Sequence, residues 1–167
     1  MPLVDLIDIP CSGFFADDTD FAALFSRTGQ TTQDLIINEV VNRCIEAEIV
    51  PEAGIFCGVT IIGHSDRDDT PGRTPEERRD NELFNSFERA ERAQDPWLFT
   101  QFADALQAAD ATVPVDWASA QNVATNMIAC GAAILEQPTP GNDEGLRQQN
   151  RRVVFSREFF RPETPIL

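Results

Sequence analysis

The chain has 167 residues, 42% of them apolar, with 28 Asp and Glu against 13 basic residues for a formal charge of −15; this suits one domain built round one hydrophobic core. Every basic residue is Arg, and Lys and Tyr are both absent. The acidic balance argues against nucleic acid, whose binding rests on clustered cations, and against anionic lipid, and no apolar run approaches the ~18 residues of a membrane span.

Met1-Pro2-Leu3-Val4-Asp5 has neither a basic nor an apolar leader region, so no signal peptide is expected. Synthesis in the cytoplasm is expected, with action on a particle or at the periplasmic or cell-wall side. Val4 to Ile9 alternates apolar and acidic residues and predicts a first strand that reaches Phe14-Phe15. Asp17 to Asp20 is expected to be a loop or the start of a helix. From Thr31-Thr32-Gln33-Asp34, the apolar positions Leu35, Ile36, Val40, Val41, Cys44, Ile45 and Ile49 follow the helical period until Pro51.

Gly54 to Ile62 is a β-branched apolar run and predicts a buried strand that delivers Gly63-His64-Ser65-Asp66 at its end. After a polar loop (67–73), Thr74-Pro75-Glu76-Glu77 is a capping pattern for a helix to about Ala93, and Pro96 starts another segment through Trp97, Phe99, Phe102 and Leu106. Asp116 is expected to cap a helix through Val123, Met127 and Ile128 to Gly131, followed by a short strand over 133–136. A Pro/Gly/Asn loop (138–145) leads to Gln148-Gln149-Asn150-Arg151-Arg152 and a final strand from Val153. The order β-α-β-α(αα)-β-β predicts an α+β fold with helices on one face of a small mixed sheet.

Cys11, Cys44, Cys57 and Cys130 contain no Cys-x-x-Cys pair, so a zinc ribbon or thioredoxin-like site is not expected. Buried free thiols are the expectation, with disulfides arising only outside a reducing cytosol.

Two segments together carry a family resemblance. Gly63-His64-Ser65-Asp66 resembles the Gly-His-Thr-Asp turn of OmpA-like domains, the peptidoglycan-associating modules of outer-membrane and flagellar-motor proteins. Asn142 to Val153, containing Asn150-Arg151-Arg152-Val153, is similar to that family's closing segment. Ser86-Phe87-Glu88-Arg89-Ala90 reproduces the family's Ser-x-x-Arg-Ala turn, although the 22 residues (67–88) between Asp66 and Arg89 exceed the usual spacing by about two helical turns. A rival register sets the family's second helix on Asp116 to Gly131, with Ser119 at the Arg position and residues 67–114 as an insertion. The Gly-x-Gly near the family's third strand is missing in both registers.

The resemblance implies one OmpA-like β-α-β-α-β-β two-layer sandwich over 1–167, with helices inserted within about 67–114. It implies a non-catalytic grip on a diaminopimelate-containing peptidoglycan stem peptide, anchoring a larger assembly to the cell wall. Arg89 would hold the ligand carboxylate bidentately, and Asp66 would receive the ammonium or orient backbone donors. Arg151 would brace the site, with Ser65 and Thr70 as hydrogen-bond partners on the loop. The alternative is a structural or interaction protein on the same fold in a phage tail or contractile injection-type particle, without wall binding, docking through Trp97, Phe99 and Trp117.

Plainer readings stand beside these. Asp66 could cap local backbone N–H groups, and His64, the only His, could be a packed residue at the edge of the core. Arg78, Arg79, Arg89 and Arg92 alternate with Glu76, Glu77, Glu82, Glu88 and Glu91 in the manner of a solvated, ion-paired helix face. One of Arg151 and Arg152 is expected to pair with an acid of the first strand. Within 145–161 five Arg face one Glu, a local basic excess on an acidic protein. Asp66-x-Asp68-Asp69 lacks the Gly and distal Glu of an EF-hand, so no metal is expected. No cofactor is implied, and the absence of a Gly-x-Ser-x-Gly or phosphate-loop pattern favours a non-enzyme.

Overall fold

The computed structural model describes residues 2–49, 55–109 and 123–161. Four strands, β1 (Leu3–Ser12), β2 (Phe56–Gly63), β3 (Val123–Ala129) and β4 (Arg152–Phe160), form one mixed sheet in the order β1-β4-β2-β3. β4 runs antiparallel to both β1 and β2, while β2 and β3 are parallel. A parallel pair needs a crossover, and here α4 (Pro75–Arg92), a π-helical stretch kinked at Asp95-Pro96 (Ala93–Leu98) and α5 (Phe99–Ala109) lie between the two strands in sequence. The fold is α+β, with helices layered on the sheet face that presents Cys11, Val59, Ile61, Val153 and Phe155, all at most 1% exposed.

Between β1 and β2 lie α1 (Phe21–Arg27) and a run of α2 (Gln30–Leu35), a π-helical stretch (Ile36–Asn42) and α3 (Arg43–Ile49). Ile36, Val40, Val41, Cys44 and Ile45 are buried as the period predicts, whereas Leu35 and Ile49 at the edges of the stripe are exposed. α1 is a seven-residue helix that follows directly on the acidic stretch 17–20; Asp20 caps it by accepting from the Ala23 N–H. Phe21 and Leu24 anchor α1 in the core. α4 opens with a complete capping box between Thr74 and Glu77, and it sits on β2 because Gly63 has no side chain to hold it away.

Several expectations need correction. Val123–Ala129 is a strand and not the later part of a helix from Asp116; residues 116–122 lie outside the described residues. Its alternating exposure puts Val123, Thr125 and Met127 on one side, and a spacing of four satisfies the strand period as well as the helical one. The rival register on Asp116 to Gly131 fails for the same reason, and Ser119 lies outside the described residues. Residues 133–136 are bends and irregular backbone, entered through a turn closed by the Ala133 N–H donating to the Cys130 carbonyl. Residues Glu144–Asn150 form a short helix, α6, capped by Asp143.

Cys44 of α3 and Cys57 of β2 form a disulfide, against the expectation of free thiols, while Cys11 and Cys130 are free. Trp97 is not available for docking: it is buried in an aromatic cluster, with ring centroids 4.8 Å from Phe21, 4.7 Å from Phe25 and 5.9 Å from Phe155. Phe99 is half-buried against the core, and Trp117 lies outside the described residues.

Candidate functional site

β2 hands the chain over at Gly63 to His64-Ser65-Asp66, whose backbone is pinned from both sides. The His64 N–H donates to the Arg152 carbonyl and the Ser65 N–H to the Gly131 carbonyl. Ser86 tightens the same corner, its hydroxyl accepting from the Gly131 N–H at 2.9 Å. The loop that follows faces α4, α6 and the β1–α1 connection across a polar cleft of about 190 Å³. Ser65, Asp66, Thr70, Arg89 and Arg151, all five residues expected from the sequence, line this one cleft.

Their states differ. Thr70 is exposed on the loop, and its N–H donates to the Asp68 carboxylate. Ser65 is 2% exposed, and its hydroxyl has no hydrogen-bond partner among the described residues. The carboxylate of Asp66 is buried and held by side chains, and among the described residues it caps no local backbone N–H. Arg147 Nε donates to one oxygen, Asn150 Nδ2 to the other at 2.9 Å, and Arg151 stands 3.8 Å away. Arg147 spans the loop, donating also to the Asp69 carboxylate at 2.8 Å and to the Arg67 carbonyl at 2.9 Å. The hydrogen bond from Arg147 holds the Asp69 carboxyl below the usual range, and the bonds to Asp69 and Asp66 push the Arg147 guanidinium up.

Arg89 is 1% exposed, so the reading of a solvated helix face does not apply to it. Its guanidinium donates to the carbonyls of Asp18 (2.8 Å), His64 (3.1 Å) and Phe15 (3.5 Å) and lies 4.9 Å from the centroid of the Phe14 ring. Burial, followed by the positive charge of Arg151, lowers it to about 10, so it stays charged at neutral pH. One side chain therefore ties α4, the end of β2 and the β1–α1 connection together. Arg151 bonds Glu144 at 2.5 Å and the Phe14 carbonyl at 3.4 Å.

Neither Arg151 nor Arg152 makes the expected pair with the first strand. Arg152 faces Glu136 at 3.6 Å, and it is Arg157 that reaches Asp5 of β1, at 2.6 Å. His64 is 4% exposed and sits at the edge of the core; burial first, then the charge of Arg152, lowers its imidazole to about 4.

Arg147 and Asn150 stand in the sequence only as parts of a motif, and nothing there announces their hold on Asp66. Their signal is the spacing 147, 150, 151, which on a helix falls on one side, but it means something only once 144–150 is known to be helical. Asp17, Asp68, Glu82 and Glu144 add carboxylates to the cleft. Asp68 is held at about 2: burial would raise it, but the Thr70 hydrogen bonds and the Arg73 ion pair outweigh that. Among the described residues no group of three His, Cys, Asp or Glu side chains is placed to hold a metal ion. The cleft thus offers guanidinium and hydroxyl donors beside carboxylate acceptors, a pattern suited to a zwitterion.

No family model and no curated protein matches the sequence. Among solved structures, the chain is similar to the cell wall anchor of the T6SS from Pseudomonas aeruginosa at 17% identity, over 93% of this chain and 85% of that one, with a TM-score of 0.37. It is similar to the C-terminal domain of Helicobacter pylori MotB at 15% identity, over 92% and 86% of the two chains, with a TM-score of 0.44. The periplasmic domain of Helicobacter pylori MotB is similar at 14% identity over 96% and 78%, with a TM-score of 0.39.

Proposed function

We propose that the chain is a non-catalytic, OmpA-like cell-wall module that grips the diaminopimelate side chain of a peptidoglycan stem peptide and anchors a larger assembly to the wall. The observation that carries this reading is the convergence of Ser65, Asp66, Thr70, Arg89 and Arg151 on one cleft from segments far apart in sequence. Diaminopimelate ends in an ammonium and a carboxylate on one carbon. Arg89 and Arg151, with the unpartnered Ser65 hydroxyl, supply donors for the carboxylate, and the carboxylates of the cleft supply acceptors for the ammonium. Asp66, both of whose oxygens are bonded, acts in this reading as the group that fixes the loop and its donors. The chain is then one domain, α4 is the counterpart of the family's second helix, and the further helices within 67–114 are its insertion.

Purified sacculi test the reading. Wild-type protein sediments with them and is released by free stem peptide carrying diaminopimelate, and not by the Lys-containing analogue, which lacks the terminal carboxylate. Arg89→Lys, checked for folding by circular dichroism, weakens retention. Absence of wild-type retention overturns the function; retention insensitive to the free peptide overturns the site.

A second reading is favoured by one observation: Arg147, Asn150 and Arg151 already occupy the Asp66 carboxylate. On that reading the network is structural, and the chain is an interaction module of a phage-tail or injection-type particle that does not bind sacculi.

A further inference from the structure

The outer side of α4 carries a stripe that the cleft does not use. Its three largest apolar side chains, Leu83, Phe84 and Phe87, are 43%, 60% and 41% exposed. Along the same line at spacings of three and four residues stand Glu76, Asp80, Phe84, Phe87 and Glu91, which a helix sets on one side. The three acids are exposed and form no ion pair or side-chain hydrogen bond among the described residues. The other acids of α4 are engaged: Glu77 closes the capping box, Glu82 accepts from the Asp68 N–H, and Glu88 pairs with Arg92 at 3.6 Å. Arg79 stands one turn before Leu83.

Two neighbouring phenylalanines held in water cost free energy that a partner would recover, and three unpaired carboxylates along the same face set the sign of that partner. We propose that this stripe is a docking site for a basic amphipathic helix of a partner protein, with apolar anchors over Phe84 and Phe87 and Lys or Arg reaching Asp80 and Glu91. A second copy of a chain of charge −15 would bring acids against acids, and an anionic bilayer would be repelled likewise.

A fluorescein-labelled helical peptide of Leu and Lys at amphipathic spacing serves as probe, read by fluorescence anisotropy at physiological salt. The wild type binds it, and Phe84→Ser with Phe87→Ser weakens binding by about tenfold or more, a change of about 1.4 kcal/mol, although the net charge is unchanged. Asp80→Asn with Glu91→Gln weakens binding and flattens its salt dependence. Equal affinity for the wild type and the double Ser variant would mean bulk attraction to an acidic protein and overturns the proposal. Self-association in sedimentation velocity that is abolished by the Ser variant assigns the stripe to a second copy and overturns it too. A fall in Tm of more than about 5 °C in the free Ser variant means that the chain covers its own stripe, which equally overturns the proposal.

Discussion

Ser86 lies directly over Gly63: a Cβ at position 63 would stand 1.8 Å from the Ser86 carbonyl oxygen and 3.1 Å from the Ala90 Cβ. The obstacle is helix backbone, which cannot turn aside as a flexible side chain would. Gly63→Ala must push α4 away from β2, and with it Ser86, whose hydroxyl accepts from the Gly131 N–H. The expected loss is about 3 kcal/mol, the upper end of what overpacking costs, measured by urea denaturation. Gly58, with 3.4 Å to the nearest atom of Phe160, tolerates the same change far better and serves as the control.

Asp66→Ala leaves Arg147 without its buried partner, while Arg151 loses only its more distant carboxylate and keeps Glu144 at 2.5 Å. Arg147 keeps Asp69 and the Arg67 carbonyl, so the loss falls below that of a fully orphaned buried ion, at about 2 kcal/mol. Asp66→Asn retains an acceptor for Asn150 and loses less. Paired urea titrations of the two variants check the order.

His64 titrates at about 4 in the folded chain against 6.5 in a free imidazole. Between those pH values the unfolded chain binds a proton that the folded one does not, so stability rises with pH across the window. The contribution is fully present above about pH 6.5 and lost as pH falls towards 4, amounting to about 2 kcal/mol after discounting for partial solvation. Because His64 is the only His, one imidazole proton resonance reports its titration without assignment. His64→Gln flattens the stability profile between pH 6.5 and 4.

Cys44 and Cys57 close a loop with a sequence separation of 13 residues. Reduction, or Cys44→Ala with Cys57→Ala, lowers stability by about 2–3 kcal/mol through the freedom returned to the unfolded chain. Thermal unfolding with and without dithiothreitol measures it, and the double variant no longer responds to the reductant.

Elements with one dominant period are legible in the sequence: β2 from its β-branched run, α4 from Thr74-Pro75 and Glu77, and the buried stripe from Ile36 to Ile45. β3 reads as helix because Val123 and Met127 fit helix and strand alike, and the choice is made by pairing with β2, which lies outside any local window. α1 is too short for periodicity to declare it. Of the site, Asp66 and Arg89 are visible as motif residues, but the carbonyls that Arg89 bonds come from Phe15, Asp18 and His64, and no pattern in the sequence announces backbone acceptors. The exposure of Phe84 and Phe87 is hidden for the opposite reason: apolar residues one turn apart ordinarily face a core.

β4 lies between β1 and β2 and pairs with both, so that Leu3 meets Phe160 across nearly the whole chain. While the protein is being synthesised, β1 and β2 therefore have no strand to join them until residues 152–160 have left the ribosome. Until then β1 has no partner strand and β2 has one open edge, so closure of the sheet waits on a long-range contact. A stop codon anywhere before β4 therefore leaves β1 without a partner strand and, among the described strands, the sheet with no more than its parallel pair.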